Sequence, residues 1–128
     1  MPSIAADVRG AIKTALSTLS ANVYDSVPES PIVPAIVIVP DSPYMELEVL
    51  GKSTTRVKLN YTITACVAYF SNAAALDNLE QLVMGILGKL NASKYELSTV
   101  ERPSVTEVGS TTLLVSDIRL SVRYEQTA

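Results

Sequence analysis

Residues Arg56 to Phe70 read Arg-Val-Lys-Leu-Asn-Tyr-Thr-Ile-Thr-Ala-Cys-Val-Ala-Tyr-Phe, a sustained two-residue alternation. In an extended chain this period sends successive side chains to opposite sides. Val57, Leu59, Tyr61, Ile63, Ala65, Val67 and Tyr69 share one face, which is expected to be core. Lys58, Asn60, Thr62, Thr64, Cys66, Ala68 and Phe70 share the other, which passes from charged to small polar to apolar and should meet different environments at its two ends. Fully extended at ~3.3 Å per residue, Val57 to Phe70 would reach roughly 46 Å. A compact domain of 128 residues should be only about 36 Å across. The strand must therefore bend or project beyond its own core.

A chain of this length can enclose one hydrophobic core, so a single domain over residues 1–128 is expected. Apolar residues make up 48% of it and charged residues 18%, with a mean hydropathy of +0.27. That balance is high for a small monomer and suggests apolar surface buried between subunits. The net charge of −3 is dispersed, with no basic run to neutralise phosphates. No apolar stretch reaches the ~20 residues of a membrane span. The N-terminus has no charged leader with an apolar signal core, so synthesis in the cytosol is expected.

Ile4, Val8, Ile12, Leu16 and Leu19 recur at helical spacing, predicting an amphipathic helix between Ser3 and Ser20 with Ser3 as N-cap. Pro34 and Pro40 bracket Ala35-Ile-Val-Ile-Val39, predicting a short buried strand that stops at the prolines. Tyr44 to Leu50 alternates roughly and Gly51 to Thr55 reads as a turn, so a strand or mobile arm leads into a hairpin. A second helix, capped by Ser71 or Asn72, follows from Leu76, Leu79, Val83, Ile86, Leu87 and Leu90. Gly85 and Gly88 inside it suggest close approach by another element. Leu97 to Val108 is strand-like with an edge or bulge at Pro103, Gly109-Ser110 turns the chain, and Leu114 to Tyr124 alternates cleanly. Together these predict an α+β domain: a mostly antiparallel sheet of four to five strands, packed by two helices mainly on one side, with a long β-hairpin or arm.

The chain contains no histidine, which removes the commonest general base and metal ligand and makes a serine–histidine or cysteine–histidine pair impossible. Glu46 and Glu48 could in principle hold a hard cation or act as an acid/base pair, but two glutamates at this spacing usually form a solvated edge. Cys66 lies in mid-strand, where a packed, inert thiol is expected. Gly51-Lys-Ser lacks the upstream glycine of a phosphate-binding loop, and the basic, aromatic-rich motif of an RNA-binding sheet is absent. No catalytic residue, cofactor site or metal site is assigned.

The order of segments resembles the tail-terminator proteins of long-tailed bacteriophages, particularly those infecting actinobacteria. The likeness runs through the N-terminal helix, Pro34-Ala-Ile-Val-Ile-Val-Pro40, Asp41-Ser-Pro-Tyr44, Ala68-Tyr-Phe70 and Asn72-Ala-Ala-Ala-Leu-Asp-Asn-Leu79. It continues through Arg102-Pro-Ser-Val-Thr-Glu-Val-Gly109 and Asp117-Ile-Arg-Leu-Ser-Val-Arg-Tyr124. The resemblance implies a structural virion protein, assembled in the host cytoplasm, that forms a ring, typically a hexamer, on the head-proximal end of the tail tube. Such a ring stops tube polymerisation and offers a docking surface to head-completion or connector proteins. The implied partners are further copies of the chain, the tail-tube protein and those head-side proteins. DNA would pass through the lumen without specific binding, and no membrane is involved.

Patterning nominates interface or lumen positions: Tyr44, Glu46, Glu48, Lys52 and Arg56 on the arm and its return, Lys58, Asn60, Thr62 and Thr64 on the long strand, and Asp117, Arg119 and Arg123 on the last. The nearest alternative is another phage neck component, a head-tail connector or tail-completion protein. A small ligand-binding domain and a single-stranded nucleic-acid binder are the alternatives from other classes.

Overall fold

The computed structural model describes residues 3–25, 32–51, 53–69, 73–91, 95–108 and 111–127. Its centre is a six-stranded sheet in the order β1-β2-β3-β6-β4, with β5 also paired to β6. The strands are β1 (Asn22–Tyr24), β2 (Ala35–Leu50), β3 (Thr54–Ala68), β4 (Tyr95–Val100), β5 (Ser104–Val108) and β6 (Thr111–Thr127). All pairings are antiparallel except that of β1 with β2. Helices α1 (Gly10–Leu16) and α2 (Ala73–Lys89) contribute to the same core against β3 and β6.

The predicted long strand is β3, and its register explains its dominance. From Thr54↔Thr127 to Ala68↔Leu113 it pairs with β6 without interruption, while its other edge carries β2. Val57, Leu59, Tyr61, Ile63, Ala65 and Val67 are buried on the helix side, opposite Tyr124, Val122, Leu120, Ile118, Ser116 and Leu114 of β6 in turn. Tyr69, expected in the core, is 39% exposed, because β3 ends at Ala68 and Tyr69 lies past the packed rows.

The N-terminal helix departs from uniform α geometry. Ala5–Arg9 is a π-helical segment running straight into α1, and the Gly10 N–H donates to the Ala5 carbonyl. A Cβ at Gly10 would lie 3.0 Å from that oxygen, so glycine suits the widened turn. Ser3 stands immediately before the first helical residue, Ile4, where the cap was predicted; the Asp7 carboxylate accepts the Ser3 N–H at 3.0 Å and the Asp7 N–H donates to the Ser3 carbonyl at 2.8 Å. Ser71, Asn72, Lys94, Phe70 and Gly109-Ser110 lie outside the described residues.

The predicted stop at Pro40 is overturned. β2 runs on through Pro40 and Pro43 to Leu50, and the hairpin closes where the Gly51 N–H donates to the Thr54 carbonyl at 2.9 Å. β1 covers β2 only at residues 35–37, so the rest of that edge has no strand neighbour among the described residues, and an edge strand tolerates proline. Between Pro40↔Tyr61 and Met45↔Leu59, four residues of β2 face one of β3, a bulge that absorbs Pro43 after its cis bond. The three-residue β1 carries no periodic signal of its own and was not expected, so the sheet has six strands where four to five were predicted.

In α2, Leu79, Val83 and Ile86 are buried as predicted, as is Leu90 just past its end, but Leu87 is half-buried and Leu76 is 43% exposed on the first turn. Gly85 meets the expected close approach: a Cβ there would stand 3.1 Å from Leu19 Cδ2. Gly88 does not, since a Cβ would meet nothing within 4 Å.

Candidate functional site

Alternation along β3 and β6 places one row of side chains against the helices and the other on the opposite sheet face. On that face, residues far apart in sequence form a charged lattice across four strands. Arg119 of β6 pairs with Asp41 of β2 at 3.0 Å and with Glu101, just past β4, at 3.2 Å. Arg123 contacts Glu48 of β2 at 3.3 Å and also pairs with Glu96 of β4. Lys58 lies 3.4 Å from Glu96, and Arg56 pairs with Glu125 at 2.9 Å.

Between the ion pairs run neutral bridges. The Asn60 amide donates to Glu46 at 2.9 Å and to the Pro43 carbonyl at 2.8 Å, and accepts from Ser121 at 2.7 Å. Thr64 donates to Asp117 at 2.8 Å. Thr62 stands in register with Arg119. The guanidinium of Arg123, then Lys58, hold the Glu96 carboxyl below its ordinary range, and Glu101 and Asp41 hold Arg119 above its own. Glu96, Arg119 and Arg123 are exposed, so these pairs fix side-chain positions more than they stabilise the fold.

Most of the nominated residues are therefore brought together on one face: Glu46, Glu48, Arg56, Lys58, Asn60, Thr62, Thr64, Asp117, Arg119 and Arg123. Tyr44 is not among them. It lies on the helix side, edge-on to Tyr61 with ring centroids 5.7 Å apart and hydroxyls 3.1 Å apart. Burial first, then the Tyr44 hydroxyl, push the Tyr61 phenol above its ordinary range, and nearby Arg9 opposes the shift. Lys52 lies outside the described residues. Asp41, Glu96, Glu101, Ser121 and Glu125 are lattice members missed from the sequence, because only the sheet order brings their segments beside Arg119, Arg123, Asn60 and Arg56.

Further along the same face the lattice gives way to apolar packing. Cys66, Ala35 and Leu113 form a small buried cluster against Tyr24, Val33 and Val115. This is the change of environment expected along β3. Burial, and secondarily Asp117, push the Cys66 thiol up to about 11, which opposes the thiolate that nucleophilic chemistry needs. Glu46 and Glu48 are each turned to a protein partner, Asn60 and Arg123.

Large apolar side chains are exposed in several places among the described residues, including Ile32, Leu76 and Val105. On the hairpin Met45 and Leu47 are exposed, Leu47 at 65%. A cleft of about 530 Å³ lies between α2 and β4, lined by Met84, Leu87, Gly88, Leu97, Val100 and Ile118, with Met84 66% exposed.

No family model matches the sequence, and no curated protein matches it. Among solved structures, the fold is similar to that of a chain in the virion of the native gene transfer agent (GTA) particle. The TM-score is 0.57 at 13% identity, over 97% of this chain and 100% of that one. At that identity the likeness is one of fold.

Proposed function

We propose that this chain is a structural virion protein of a phage or phage-like particle, and that it acts as a ring capping the head-proximal end of the tail tube. The observation that carries the reading is the coextensive fold: nearly the whole chain matches the whole of a chain from a phage-like virion. The order of sequence segments resembling tail terminators supports the finer assignment and the expectation of six copies. No step of capping needs a catalytic group. A ring that matches the tube on one side and presents different chemistry on the other ends polymerisation by removing the surface on which the next tube subunit would add.

The charged lattice suits such a part. Its carboxylates and guanidiniums neutralise one another within the subunit, which leaves no run of unpaired cations on that face, among the described residues, to hold DNA in passage. The test is electron microscopy and mass analysis of the purified chain mixed with the tail-tube protein of the same particle. Rings confined to one end of length-limited tubes are expected. Tubes that ignore the chain, or carry it along their length, would overturn the cap and leave a connector, completion or tube-subunit role.

A further inference from the structure

β2 changes character along its length. From Ala35 to Pro40 it pairs with β3 without a break, and Ala35, Ile36, Val37 and Ile38 are buried. Beyond Pro40 the ladder breaks twice, resuming at Met45↔Leu59 and shifting again between Leu47 and Val49. Residues 45–50 are thus held to β3 in two short runs, since each bulge interrupts the backbone ladder.

Core packing holds them little. Met45 is 42% exposed and Leu47 65%. No strand of the described residues lies along their outer edge. The last buried anchor before them is Tyr44, packed edge-on to Tyr61.

Side chains take over where the ladder fails. At each break, a residue with no partner on β3 sends its carboxylate across β3 to an arginine of β6: Asp41 to Arg119 at 3.0 Å, and Glu48 to Arg123 at 3.3 Å. Arg123 also grips the other side of the sheet, through Glu96 of β4. Asp41 pins the chain ahead of the bulge, and Glu48 lies within the segment beyond it.

We infer that residues 45–50 form a strap that opens from β3 while the rest of the sheet stays folded, and that Arg123 is its latch. A segment with few buried apolar contacts and an uncovered backbone opens at a free energy below that of global unfolding. Opening bares the β3 edge at residues 55–59, whose backbone N–H and C=O groups could then pair with another strand. An exposed ion pair is weak, so the latch tunes how often the strap opens without deciding whether the chain folds. The inference is independent of the ring reading.

The test is amide hydrogen exchange, read by mass spectrometry on the full chain and on Arg123→Gln and Glu48→Gln, with circular dichroism to confirm that both variants fold. In the native chain, residues 45–50 should exchange faster than residues 35–40 and the middle of β3. Arg123→Gln should speed the strap roughly two- to fivefold, the worth of one exposed ion pair. It should also speed β4, because the same guanidinium serves both sides. Glu48→Gln should speed the strap about as much and leave β4 no faster. Raising sodium chloride from about 0.1 M to about 1 M should screen the latch and speed the native strap relative to the middle of β3, with less effect in Arg123→Gln. Exchange of the strap in step with the middle of β3 in the native chain would overturn the inference. So would an Arg123→Gln chain whose strap is unchanged, or whose strap and central β3 speed up alike, since the second result marks general destabilisation.

Discussion

Tyr61 illustrates how much a single position carries. It is the largest of the fully buried side chains, and its hydroxyl meets that of Tyr44 under the helices. Tyr61→Phe keeps the packing and removes the hydrogen bond, so it should cost about 1 kcal/mol in a urea titration. The pH response separates this role from simple packing. Because the folded state raises the phenol's pKa, the native protein holds this proton more tightly than the unfolded chain does. The associated stability is complete below the ordinary tyrosine range near ~10 and falls as pH rises beyond it. The denaturation midpoint of the native chain should decline there, and the part of the decline due to Tyr61 should vanish in Tyr61→Phe. Sequence patterning placed Tyr61 on the core face, since alternation is a local property. It could not pair Tyr61 with Tyr44, which sits in a bulge whose phase the alternation rule does not predict.

At the scale of elements, α2 holds a matched pair of glycines in different surroundings. A methyl at Gly88 would enter open space, so Gly88→Ala should stabilise the monomer by about 0.5–1 kcal/mol through helix propensity and the unfolded state. At Gly85 the same methyl would stand 3.1 Å from Leu19, and Leu19 or the α1–α2 spacing must yield. Gly85→Ala should therefore gain less than Gly88→Ala or lose stability, and thermal melting of the two variants side by side would decide it. Both glycines looked alike in sequence because intrinsic propensity is blind to what stands across the gap. The same blindness explains Pro40 and Pro43. Their missing N–H groups would break a central strand, but the short β1 leaves that part of β2 as an edge, and a bulge takes up the irregularity.

The whole molecule presents two surfaces of contrasting chemistry, and salt should tell them apart. A contact built on exposed apolar side chains such as Leu47 and Met84 would bury apolar area, so self-association through it should persist or strengthen as sodium sulfate is raised to about 1 M. A contact built on the charged lattice would weaken over the same range as screening lengths shorten to a few ångströms. Sedimentation across a salt series reads the difference directly, and loss of association at high salt would assign assembly to the lattice face. The sequence by itself determined which faces of β3 and β6 are buried, the amphipathic stripes of the two helices, the hairpin turn and the absence of histidine chemistry. These follow from side-chain period and residue type, which act over a few residues. Only the tertiary structure decided that β6 lies between β3 and β4, that β2 continues past its prolines, and that Asp41 and Glu101 both reach Arg119. Those outcomes depend on which distant segments lie side by side. Strand order is set by the sum of many weak long-range contacts against the entropy of closing the loops between them, a balance that no local pattern encodes.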